Sequence, residues 1–173
     1  LCSARGRALQ MRAGAAVASG SILWFLHADT GVPDKPDQLI IAALEEGRAD
    51  WGRFDVLLSH NHIVLRGVAY LMNLRSCISG IATGDQGIFV RRSLYEQTGG
   101  IPTLPLMEDI ALCRALKKHG RPACIRQKLL TSARRWQKHG ITRTILTMWV
   151  LRLAYFIGIN PRHLAKYYAA NEA

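Results

Sequence analysis

The 173-residue chain reads as α/β, with a mostly parallel sheet flanked by helices. Three observations predict this. Short apolar runs with strand character alternate with longer stretches of helical period. Glycines, prolines and capping residues separate them where turns are needed. The 49% apolar content and the length suffice for one substantial core.

Residues 6–19 read as an Ala-rich helix stopped by Gly20. Residues 21–26 form a buried strand, Ser-Ile-Leu-Trp-Phe-Leu, that stops at the polar cluster His27-Ala28-Asp29-Thr30. Asp34, Pro36 and Asp37 open a helix that runs to Glu46 and ends at Gly47. Residues 51–59 alternate, with Phe54, Val56 and Leu58 on one face and Arg53 and Asp55 on the other. Residues 62–75 fit a helix, and Thr83-Gly84-Asp85-Gln86-Gly87 is a polar turn leading into the strand 88–90. Ser93 caps a short helix that Gly99-Gly100 ends, and Pro102 and Pro105 mark a loop. Glu108-Asp109 opens a helix over 110–119 closed by Gly120, and 123–130 is a strand followed by Ser132-Ala133-Arg134-Arg135-Trp136. Two amphipathic helices finish the chain, over 141–156 and 161–169. Without repeats, linkers or low-complexity segments, 1–173 is one domain.

The net charge of +11 is one-sided. Residues 1–90 hold eight Lys/Arg and eight Asp/Glu, whereas 91–173 hold fifteen and four. Such an excess implies an anionic partner: a phosphate ligand, an acidic membrane or nucleic acid. Nucleic acid is not favoured, because the aromatic pattern of single-strand binders is missing. The sequence also lacks a P-loop, a GxGxxG and a GxSxG. The four cysteines form no C-x-x-C pair, which speaks against zinc and for buried reduced thiols in a cytosolic protein. The apolar stretch 141–157 is interrupted by Arg143 and Arg152. The eight uncharged residues between them fall short of the roughly 20 needed to cross a bilayer. Core packing is the first reading of Ile141, Ile145, Met148, Trp149, Leu153 and Phe156; contact with a membrane surface is the second.

Four segments carry groups suited to chemistry. Asp29, at the carboxyl end of a strand, stands where α/β sheets bind ligands. Its hard oxygens suit Mg²⁺ or Mn²⁺, with His27 as a second ligand; a turn or capping role is the plain alternative. Glu108 and Asp109 begin a helix, which the helix dipole alone favours. Either acid is also a candidate general base, and adjacent helical residues point about 100° apart, so one can act while the other braces. Arg134 and Arg135 offer forks for phosphate oxygens, and Trp136 can stack on a sugar or simply pack. Asp85 and Gln86 can hydrogen-bond hydroxyls.

The order of these pieces is more specific than any one of them. Gly6-Arg7-x-x-Gln10-Met11-x-x-Gly14, Phe25-Leu26-His27-Ala28-Asp29-Thr30, Gly52-Arg53-Phe54-Asp55, Gly84-Asp85-Gln86, Pro105-Leu106-Met107-Glu108-Asp109 and Ser132-Ala133-Arg134-Arg135-Trp136 follow one another over about residues 5–168. The chain thereby resembles a family 2 glycosyltransferase of GT-A fold, most of all the small bacterial subgroup of radical-SAM/selenodomain-associated transferases. The resemblance implies an inverting transfer of a sugar from a nucleotide diphosphate sugar to an acceptor hydroxyl. It implies Asp29 as the metal-binding acid of a D-x-D type motif, with His27 in place of the first acid. It implies Asp109 as the general base beside Glu108, Arg134 or Arg135 on the diphosphate, and Asp85 and Gln86 on the acceptor. The family's opening strand, acidic nucleotide-binding loop, helix and second strand are expected to precede Leu1. On this reading the chain is the catalytic and acceptor half, with an exposed sheet edge. The alternative is a non-catalytic basic module that docks on an anionic membrane or a partner protein.

Overall fold

The structure, a computed structural model, describes residues 2–172 other than Gly47 and Asn61, and the side chains of these except Arg135, Asn171 and Glu172. The expected stop of the second helix at Gly47 therefore lies outside the described residues. In chain order the elements are α1 (Arg7–Val17), β1 (Ile22–Trp24), α2 (Pro36–Glu45), β2 (Trp51–Leu58), α3 (Ile63–Ser79), a 3-10 turn (Gly84–Gln86), β3 (Phe89–Arg91), α4 (Arg92–Gln97), α5 (Glu108–Leu116), β4 (Ala123–Thr131), α6 (Arg134–His139), α7 (Ile141–Phe156) and α8 (Pro161–Glu172). The chain is thus α/β, with eight α-helices among the described residues.

The sheet is mixed, where a mostly parallel one was expected. Its order is β1-β3-β2-β4. β3 is antiparallel to both β1 and β2, and only β2 and β4 pair in parallel. β1, β2 and β4 share one direction, and the reversed β3 lies between two of them. The reversal begins at Gly87, whose φ of 54° is left-handed and whose site has no room for a side chain: an added Cβ would lie 2.5 Å from Leu129 Cδ1. Trp24 Nε1 donates to Gly87 O at 3.2 Å and ties this turn to β1. β1 is left as an edge strand.

Strand β2 departs from its expected one-sided pattern. All its residues but Leu57 are buried, Arg53 and Asp55 included. β3 pairs only with Trp51 and Gly52, so the rest of that β2 edge needs other partners. Asn73 of α3 supplies them: its Oδ1 accepts from Val56 N at 2.8 Å, and its Nδ2 donates to Val56 O at 3.1 Å. Arg53 ion-pairs with Asp55 and donates through Nη2 to Asn73 O at 2.8 Å. A register shift between Phe54 and Asp55 in the pairing with β4 marks the same place.

One core layer joins Leu23, Ile88 and Val90 to Ile110, Leu112 and Leu116 of α5 and to Leu151 of α7. On another, Ile40 and Leu44 of α2 cover Phe54, Phe89 and Leu129. A smaller cluster, Leu58, Leu65 and Ala133 with Trp136 packed against it, links α3 to the start of α6. α3 continues to Ser79 and stops at Gly80, which is left-handed. α6 is a helix where the sequence suggested only a basic segment. All four cysteines are free, but only Cys113 is buried as expected; burial pushes its thiol up to about 12. No helix among the described residues is long and apolar enough to cross a membrane.

Candidate functional site

The polar ends of these elements meet at a cleft of about 540 Å³. Seven of the nine residues nominated from sequence line it: His27 and Asp29 after β1, Asp85 on the 3-10 turn, Glu108 and Asp109 at the start of α5, and Arg134 and Trp136 on α6. The side chain of Arg135 lies outside the described residues. A larger hollow of about 700 Å³ lies between α1 and β1, but among the described residues Arg7 and His27 are its only charged or titratable lining. The smaller cleft is where groups capable of chemistry converge.

Gln86 does not reach the cleft. Its side chain is fully buried and its amide is committed: Nε2 donates to Ser76 Oγ at 2.8 Å, and Oε1 accepts from Thr83 N at 3.2 Å. Gln86 instead shapes the turn that presents Asp85 to the cleft.

The two acids of α5 occupy different environments. Asp109 accepts through Oδ2 from Gly84 N at 2.9 Å and through Oδ1 from Ile110 N at 2.7 Å. A carboxylate has about four lone-pair sites, so two remain for a ligand. Glu108 is almost wholly buried, and its Oε1 lies 3.1 Å from Arg7 Nε in an ion pair without hydrogen-bond alignment. Burial, and then the charge of Asp109, push its carboxyl up, against the pull of Arg7. Met107, just before the pair, has a φ of 68°. A left-handed non-glycine residue costs about 1–2 kcal/mol, and such strain collects where geometry serves a site.

Arg7 is a residue that sequence reasoning left without a role, although it stood in the first quoted motif. From α1 it reaches Glu108 and also donates from Nη2 to His27 Nε2 at 2.9 Å. A guanidinium cannot accept, so Nε2 is the acceptor and the proton sits on Nδ1. Burial, then Arg7, lower the pKa of His27, against Asp85, Asp29 and Asp109. The ring is thereby held toward its neutral form. Gly84 makes this approach possible: an added Cβ there would lie 1.5 Å from Arg7 Nη2.

Arg152 is the second residue missed. In the sequence it only interrupted an apolar run; in the fold it lines the cleft from α7. Burial lowers its pKa, against the charges of Asp109 and Asp85. Behind it Arg75 of α3 is lowered to about 10, by burial and then by Arg152 itself. Arg134, Lys138 and Arg152 line the cleft together, a lining that favours an anion.

Among the described residues no group of three or more His, Cys, Asp and Glu could hold a metal ion alone. Mg²⁺ needs only one or two protein carboxylates when phosphates supply the remaining oxygens. Asp29 and Asp85 both line the cleft and both act on His27, so the lining includes carboxylates of the kind such an ion takes. His27 fits less well than expected from sequence, because the lone pair of Nε2 already faces Arg7.

The fold and site define an α/β protein with an acid-and-arginine cleft beyond the ends of its sheet strands. No family model, no curated protein and no solved structure matches the chain.

Proposed function

We propose that the chain carries the catalytic and acceptor site of an inverting glycosyltransferase of GT-A type, using a nucleotide diphosphate sugar as donor. One observation carries the reading: seven residues nominated by ordered motifs spread from residue 27 to residue 136 share one cleft with both acids and cations. A reversed strand among three that share a direction is compatible with that fold.

Asp109, held by two main-chain N–H groups, takes the proton of the acceptor hydroxyl. The oxygen attacks the anomeric carbon, and the bond from that carbon to the diphosphate breaks with its electron pair leaving on the diphosphate. Arg134 and Arg152 face the charge that develops there. Asp85 receives acceptor hydroxyls, and Trp136, half-buried against the α3–α6 cluster, offers a sugar one face. Glu108 and Arg7 brace the acid pair rather than react. Asp29 would hold a bound Mg²⁺ or Mn²⁺, which would supply charge neutralisation for the leaving diphosphate.

The test is release of nucleoside diphosphate by the full-length protein from UDP-glucose, UDP-N-acetylglucosamine and GDP-mannose, with and without Mn²⁺, beside calorimetric binding of the same donors. Turnover is expected to need the metal. Asp109→Asn is expected to bind donor normally and to lose about 10²–10⁴-fold in turnover. Equal turnover by that variant removes Asp109 as the base; neither binding nor turnover with any donor removes the reading.

A further inference from the structure

Helix α7 has two faces. Met148, Leu151 and Arg152 turn inward and line the cleft. Leu146, Trp149, Val150, Leu153, Phe156 and Ile157 turn outward, with Trp149 72% and Ile157 70% exposed. Their spacing of three and four places them in one stripe along a helix about 24 Å long. A continuous apolar stripe of this size marks an interaction surface.

Charge identifies what it meets. Of the seven Lys and Arg in residues 134–172, Arg134, Lys138 and Arg152 line the cleft; Arg135, Arg143, Arg162 and Lys166 are the others, against one acid, Glu172. Arg162 and Lys166 are exposed on α8, which packs on α7. The Arg114 guanidinium sits over the Phe156 ring at 5.9 Å, placing another cation at the stripe. A second copy of the chain would bring like charge against like. An anionic lipid surface is complementary to both halves of the pattern: basic groups for headgroups, and Trp149 and Phe156 for the acyl boundary.

We propose that the outward face of α7 docks flat on an anionic bilayer. This goes beyond the transfer reaction and does not depend on it. The test is flotation with vesicles of phosphatidylcholine and phosphatidylglycerol mixed in about equal amounts, with pure phosphatidylcholine vesicles as reference. The protein is expected to float with the anionic vesicles, to release in high salt, and to show a blue shift of tryptophan fluorescence. Trp149→Ser with Leu153→Ser, at exposed positions, is expected to weaken vesicle binding at least about tenfold with Tm unchanged. Arg162→Glu with Lys166→Glu is expected to weaken binding to anionic vesicles only. Failure of the wild type to float, or equal flotation of the double-serine variant, overturns the proposal. So does a wild-type dimer that binds no vesicles and that the double-serine variant dissolves, which assigns the stripe to a second copy.

Discussion

The two walls of the cleft are held in place by different kinds of force. On the acidic wall, Asp109 is fixed by main-chain N–H groups at 2.9 and 2.7 Å, and Glu108 is buried behind it against Arg7. On the basic wall, Arg134 is exposed in the first turn of α6, and Arg152 answers to Asp109 and Asp85 through charge from across the cleft. Hydrogen bonds of fixed direction hold one wall, and long side chains with several soft torsions form the other. The contrast fits a division of labour. A general base must stand at one position relative to a reacting atom, so its geometry is set before the ligand arrives. A diphosphate presents many equivalent oxygens, so arginine forks can settle on it afterwards.

Removing the basic wall is expected to have the largest effect on binding. Arg152→Ala should raise the Kd for UDP by about ten- to a hundredfold, the usual loss for a charged hydrogen bond of about 1.5–3 kcal/mol. Arg134→Ala, at an exposed position, should act in the same direction and less strongly. Asp109→Asn, on the other wall, should leave that Kd unchanged. Calorimetry separates the cases, and an Arg152→Ala protein that binds UDP like the wild type would show that the basic wall is not the diphosphate site.

Crowding the acidic wall is the next test, and it reads out in stability. In Gly84→Ala the new methyl and the Arg7 guanidinium would need the same space, and the exposed end of Arg7 must leave. The buried Glu108 then loses its cation. A cost of about 1–2 kcal/mol follows, seen as a fall in Tm of roughly 2–8 °C. The same substitution in an Arg7→Ala background should cost clearly less, because the competing group is gone. Equal losses in both backgrounds would mean that Arg7 is not what the glycine makes room for.

The same contrast explains what the sequence could tell. The acidic wall was legible because it is local: a helix-opening Glu-Asp pair, a Gly-Asp-Gln turn and an apolar run ending at Asp29 are readable from neighbours in the chain. Even there, which side chain of the turn faces the cleft is set by α3, whose Ser76 and Asn73 draw Gln86 inward. The basic wall was legible only where the arginines stand next to each other. Arg7 and Arg152 lie on helices whose orientation is decided by packing. Helix α7 is apolar on nearly every side, so its period marks no single inner face. Of the expected core stripe, Ile141 and Met148 do pack inward, but Trp149, Leu153 and Phe156 are exposed, and Leu151 takes an inner position beside Met148. Strand β2 misled for a related reason: its polar face is covered by α3, and Asn73 satisfies main-chain groups that no neighbouring strand reaches.

The smallest effect concerns Glu108 alone and depends on pH. Burial and Asp109 raise its pKa from the ordinary 4.5, and the opposing pull of Arg7 is already contained in that direction. The folded chain therefore holds this proton more tightly than the unfolded chain does. Its contribution to stability is complete below about pH 4.5 and is lost as pH rises through the folded-state value. Glu108→Gln keeps the shape and removes the titration. The Tm of this variant minus that of the wild type should therefore grow more positive between about pH 4 and pH 7, by less than the Gly84→Ala loss. Thermal unfolding of both proteins across that range is the measurement. A difference that stays constant or shrinks would show that the ion pair with Arg7 outweighs burial, and that Glu108 belongs to the charged machinery of the cleft rather than to the brace behind Asp109.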